Sequence, residues 1–143
     1  MGLDISEVAI KKCNEHYGHL ATFISGTNGD VPIVDIIIAS NVFEHLTDDI
    51  SIAKNLLIKC RQLNIIVPYK EKIISVSEHI NTYDENYFHD LDKYEYKIFV
   101  SRGWSQYGVS LIYHLYLKNI LRPLFGNPIA KRAKQIIFKF KPV

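Results

Sequence analysis

The rhythm of apolar and polar positions changes several times along the chain, and each change predicts an element. The strongest signal lies at 33–46, Ile-Val-Asp-Ile-Ile-Ile-Ala-Ser-Asn-Val-Phe-Glu-His-Leu. Three consecutive isoleucines, Ile36, Ile37 and Ile38, favour a strand over a helix. With no polar alternation after Asp35, the run predicts a parallel strand over 33–40 buried on both faces. Polar Asn41, Glu44 and His45 follow abruptly. Thr47 then reads as the cap of a helix whose first turn holds Asp48 and Asp49. In that helix Ile50, Ala53, Leu56, Leu57 and Cys60 recur at helical spacing and predict a face packed on a sheet, with Lys54, Lys59 and Arg61 solvated. Residues 63–67, closed by Pro68, predict another buried strand.

Upstream, residues 6–17 read as a helix with Ser6 as N-cap and Gly18 as its stop. Ile5 and Ile10 suit a hydrophobic staple, and Val8, Ala9, Cys13 and Tyr17 approximate one apolar face. Asp4 then falls at the carboxyl end of a strand. Residues 20–25 predict a short strand, and Gly26-Thr27-Asn28-Gly29-Asp30 is a loop by composition. Downstream, Ile73, Ile74 and Val76 extend a strand or line a loop, which brings Glu78 and His79 to the rim that holds Glu44 and His45. The capping-box pattern Thr82-Tyr83-Asp84-Glu85 predicts a helix over 83–91 with Tyr87, Phe88 and Leu91 inward. Residues 94–101 and 134–141 predict a late pair of strands. Between them lies a long insertion, 102–132, with an apolar, tyrosine-rich helical segment at 109–121.

Composition narrows the function classes. A chain of 143 residues with 48% hydrophobic residues fits one domain and buries a core. The net charge of +2 does not point to nucleic acid, although basic residues are dense from Lys118 to Lys141. Cys13 and Cys60 lie far apart with no Cys-x-x-Cys spacing, which suggests a reduced, cytoplasmic compartment. Asp4, Glu7, Lys11 and Lys12 interrupt any signal-peptide core, and no run reaches the ~20 apolar residues that span a bilayer. The six histidines show neither His-x-x-x-His nor His-x-x-Cys spacing, so no sequence-local metal site is expected. There is no Gly-x-Ser-x-Gly nucleophile elbow and no phosphate-binding Gly-x-x-x-x-Gly-Lys-Ser/Thr loop.

Three stretches in this order resemble class I S-adenosylmethionine-dependent methyltransferases over roughly residues 2–100. Gly2-Leu3-Asp4-Ile5-Ser6 is similar to the family's second strand. The 33–46 run, with its early Asp35 and its Glu44-His45-Leu46, is similar to the strand and loop at the sheet's centre. Leu63-Asn64-Ile65-Ile66-Val67-Pro68 is similar to the next strand. The resemblance implies an α/β fold: an incomplete Rossmann-like sheet, mostly parallel, with a C-terminal antiparallel hairpin and a helical insertion. It implies S-adenosylmethionine as cofactor. Asp4 and Ile5 would meet its ribose, and Thr27 and Asn28, with Asp30 slightly later, its adenine. Ser40 and Asn41 would line the crevice at the strands' carboxyl ends. Against these roles stand plainer ones: Asp4 as a solvated turn residue, and Asn28-Gly29 as a tight turn, the favoured reading there.

For methyl transfer the leaving group is neutral, and positioning supplies much of the rate. A base is needed only where the acceptor must lose a proton near neutral pH. His45 is the candidate catalytic base and His79 the second, but the favoured role of His45 is to anchor its loop through hydrogen bonds. One motif is absent: the first strand with its glycine-rich turn, which in the family lies between the strand ending at Asp4 and the one ending at Ser40. Without it the remaining strands split into two sets with exposed edges. The expectation is a single, N-terminally incomplete domain over 1–143: a fragment, one part of a split protein, or a degenerate member. When completed, it would methylate a small-molecule or glycan-like acceptor; the alternative is a non-catalytic binding or assembly module. A homo-oligomer or complementing chain would serve as partner, and nucleic acid would not. Leu111, Ile112 and Leu115 beside Lys118 and Arg122 also raise peripheral membrane contact through 109–132, with burial between protein surfaces favoured.

Overall fold

A computed structural model describes residues 1–71, 78–91, 93–100 and 134–141. Its elements are β1 (Gly2–Asp4), α1 (Glu7–Tyr17), β2 (Phe23–Ser25), β3 (Val34–Ser40), α2 (Asp49–Leu57), β4 (Cys60–Pro68), β5 (Tyr94–Val100) and β6 (Lys134–Phe140), with short 3-10 turns at Asn28–Asp30 and Phe43–His45. The strands form two sheets among the described residues. β1 and β2 pair in parallel, and the other four run in the order β3-β4-β6-β5. β3 and β4 are parallel, whereas β6 is antiparallel to both β4 and β5, so the C-terminal hairpin is present.

Register explains where the core sits. One face of the larger sheet aligns Leu63 with Phe140, Ile65 with Phe138 and Val67 with Ile136, and all six are fully buried. α2 covers this face with Ala53, Leu56 and Leu57, and Phe43, Tyr83 and Phe88 complete the cluster. Phe88 is its hub, meeting Phe138 edge-on at 4.9 Å, Phe140 at 5.6 Å and Phe43 at 6.3 Å between ring centroids. Such pairings suit the quadrupoles of the rings.

Four expectations are corrected. First, β3 is not buried on both faces. Ile37 and Ala39 pack on the core, but Ile36 is 57% and Ile38 67% exposed. The β-branched run specifies a strand, while burial of its second face needs a covering layer that the described residues do not supply. Second, α1 forms with Ser6 as cap, its hydroxyl accepting from the Ala9 amide at 3.2 Å. Yet only Ile10 is buried, and Ile5, Val8 and Tyr17 are exposed. Third, α2 begins at Asp49 rather than on Thr47, and Cys60 opens β4 rather than closing the helix. Fourth, 83–91 is a series of turns. The Thr82 hydroxyl donates to the Glu71 carbonyl at 2.9 Å instead of capping a helix, and Tyr83 bridges Tyr69 as extended backbone. Tyr87, Phe88 and Leu91 still face the core. Residues 73, 74 and 76, and the insertion 102–132 with its predicted helix and its expected membrane or protein contact through 109–132, lie outside the described residues.

Candidate functional site

Two groups of side chains gather at the carboxyl ends of the parallel strands. At the first, the Gly26 amide donates to the Asp4 carbonyl at 3.0 Å, placing the loop after β2 beside the end of β1. The Asp4 carboxylate accepts the Ser6 amide through Oδ1 at 2.7 Å and is otherwise exposed, with Ile5 next to it. Thr27 donates both its amide, at 2.8 Å, and its hydroxyl, at 2.9 Å, to Oδ2 of Asp30. These bonds hold the Asp30 carboxyl below its ordinary range, the Thr27 amide being the larger influence. Asn28 and Gly29 form the tight turn, and Lys59 ties it to the rest of the molecule by donating to the Gly29 carbonyl at 2.9 Å.

The second group begins where β3 ends. Ser40 is exposed, and Asn41 turns the chain in the left-handed region, φ 53°, which asparagine tolerates better than most residues. Its side-chain oxygen accepts from Gln135 on β6 at 2.9 Å. The Phe43–His45 turn follows and is held from across the chain. Asn81 donates to the carbonyls of Phe43 at 3.2 Å and Leu46 at 2.7 Å, and the Ile80 amide donates to the Glu44 carbonyl at 2.9 Å. Behind it, buried Asp49 at the start of α2 accepts from the Tyr83 hydroxyl at 2.7 Å. Burial, seconded by that carboxylate, pushes the Tyr83 hydroxyl far above its usual range.

His45 and His79 meet here, their rings 4.8 Å apart in an edge-on contact. His45 Nδ1 lies 3.0 Å from the Glu78 carbonyl, and His79 Nδ1 lies 2.7 Å from Glu71 Oε2. Glu44 is 1% exposed, and its Oε2 has no hydrogen-bond partner among the described residues. Burial raises the Glu44 carboxyl, opposed by its own backbone amide and by the two imidazoles. The structure therefore brings Asp4, Ile5, Thr27 and Asn28 together, and separately Ser40, Asn41, Glu44, His45 and His79. Sequence reasoning missed Asn81, Tyr83 and Gln135, whose partners lie in distant segments.

No protein-family model and no curated protein matches the chain; solved structures do. The plantazolicin methyltransferase BpumL in complex with SAH is similar over 99% of this chain and 66% of its own, with a TM-score of 0.54 at 22% identity. A SAM-dependent methyltransferase from Archaeoglobus fulgidus is similar over 97% of this chain and 75% of its own, with a TM-score of 0.57 at 15% identity. The fold is that of the class I SAM-dependent methyltransferases. The plantazolicin methyltransferase BamL adds a TM-score of 0.52 at 18% identity. The chain spans a little under two thirds of the length of BpumL and BamL. Within this methyltransferase fold, the Asp4 group and the Glu44 group occupy strand ends, where open α/β sheets bind ligands.

Proposed function

We propose that this chain supplies most of an S-adenosylmethionine site and transfers the cofactor's methyl group to a small-molecule or glycan-like acceptor, once the first strand is provided. The observation that carries the reading is the end of β1, where an exposed Asp4 carboxylate lies beside the loop following β2. It is supported by BpumL, which shares the fold and holds SAH. Asp4 would accept the ribose hydroxyls, with Ile5 beside them. Thr27 and Asn28 would border the adenine, and Ser40 and Asn41 the methionine end. The modest net charge of +2 supports a small acceptor over nucleic acid, and two free cysteines suit a cytoplasmic setting. At His45, the contact with the Glu78 carbonyl favours a positioning role over proton abstraction.

Calorimetry with SAH tests this. Saturable binding is expected, and Asp4→Ala should weaken it by about 1.5–3 kcal/mol, the range for hydrogen bonds to a charged group. Unchanged affinity removes Asp4 from the site. The split into two sheets favours one second reading, a non-catalytic binding or assembly module on the same scaffold. Absence of binding at millimolar SAH, by the chain and by any completed form, would select it.

A further inference from the structure

Glu44, His45 and His79 each offer one ligand atom, and these atoms all lie within 4.8 Å of one another. Two features beyond proximity point to a cation. One is Glu44 Oε2, which has no hydrogen-bond partner among the described residues, since a polar oxygen withdrawn from water without a donor is costly. The other is the state of the two rings. A carbonyl and a carboxylate only accept, so Nδ1 of His45 must donate to Glu78 and Nδ1 of His79 to Glu71. In a neutral imidazole this leaves the lone pair on Nε2. Histidines that bind metals are oriented in the same way, by a carbonyl or carboxylate on the second nitrogen.

We propose that Glu44, His45 and His79 bind one divalent transition-metal ion, with Glu71 and the Glu78 carbonyl fixing the ring orientations. Two imidazoles and one carboxylate suit zinc, cobalt, manganese or ferrous iron, and do not suit calcium or magnesium, which prefer all-oxygen sites. Three protein ligands leave coordination positions for water or for an oxygen-bearing ligand. The site does not depend on methyl transfer and stands whether or not the chain binds cofactor.

The test uses the full chain stripped of metal by a chelator, then titrated with cobalt(II) by visible spectroscopy and with zinc by calorimetry. One ion per chain is expected, with cobalt bands more intense than those of the hydrated ion. Glu44→Gln, His45→Ala and His79→Ala should each weaken zinc binding at least tenfold. Glu71→Gln, a positioning change, should weaken it about 10- to 100-fold at unchanged thermal stability. A double variant of the remote pair, His16→Ala with His19→Ala, should bind as the parent does. If the buried Glu44→Gln variant does not fold, exposed His45→Ala carries the decision. No saturable binding up to millimolar metal would overturn the proposal, as would parental affinity in His45→Ala; either result leaves a metal-free carboxyl–imidazole cluster.

Discussion

Glu85 takes hydrogen bonds from the two residues that follow the long strand β4. The Tyr69 hydroxyl donates to Oε1, and the Lys70 ammonium lies 3.0 Å from Oε2. Lys70 itself takes a left-handed backbone, φ 49°, where the chain leaves the sheet. The Tyr69 bond first, then the residue's own backbone amide and Lys70, hold the Glu85 carboxyl down to about 2. An unfolded glutamate titrates near about 4.3. The folded value is the lower one, so this carboxylate stabilises the fold fully above that pH and loses its contribution as pH falls toward 2. Glu85→Gln should therefore be less stable near neutrality and show a shallower loss between about pH 4.3 and 2, read from urea midpoints across pH. Parallel pH profiles for parent and variant would disprove it. At this scale the sequence discloses what is local, such as the Ser6 cap. It does not disclose Glu85 with Tyr69, a pair that forms only when separate segments pack, whereas His79 is expected at the rim of His45 and is found there.

At the scale of elements, the aromatic hub is where one side chain joins several. Phe88 lies in a turn rather than a helix, yet it is fully buried and touches rings from β6 and from the Phe43–His45 turn. Phe88→Ala should destabilise by about 3–5 kcal/mol through lost burial and a residual cavity. Phe99→Ala, on the partly exposed edge strand β5, should change stability far less, and thermal or urea unfolding compares the two directly. Equal effects would show that Phe88 is no hub. β4, β5 and β6 were legible because their apolar residues sit at strand spacing and pair as expected. The pattern at 83–91 predicts a helix that does not form, because Thr82 and Tyr83 direct their polar groups to Glu71 and Asp49, partners that a local pattern cannot reveal. The exposure of α1 and of Ile36 and Ile38 has another origin: periodicity tells which face is apolar, not whether a layer exists to cover it.

At the scale of the whole molecule, the two sheets leave hydrogen-bonding capacity unused. β1 pairs with β2 alone, and β3 pairs with β4 alone, so each has a second edge with no strand partner among the described residues. β3 is seven residues long, and Ile36 and Ile38 stand exposed on it. Soluble proteins rarely leave such an edge uncovered, because its free amides and carbonyls template pairing with another strand. The class I fold places its first strand between these two edges, which makes strand addition the economical way to satisfy both. We expect the chain at high concentration to self-associate, or to bind a chain that contributes a strand. Sedimentation would reveal a species heavier than the monomer. Amide exchange would show rapid exchange at alternate β3 positions in dilute chain, and protection there on association, since a strand points alternate amides to opposite neighbours. A strictly monomeric chain at high concentration, with every amide from Ile36 to Ala39 already protected, would mean that the edge is covered from within, and no partner strand would then be required.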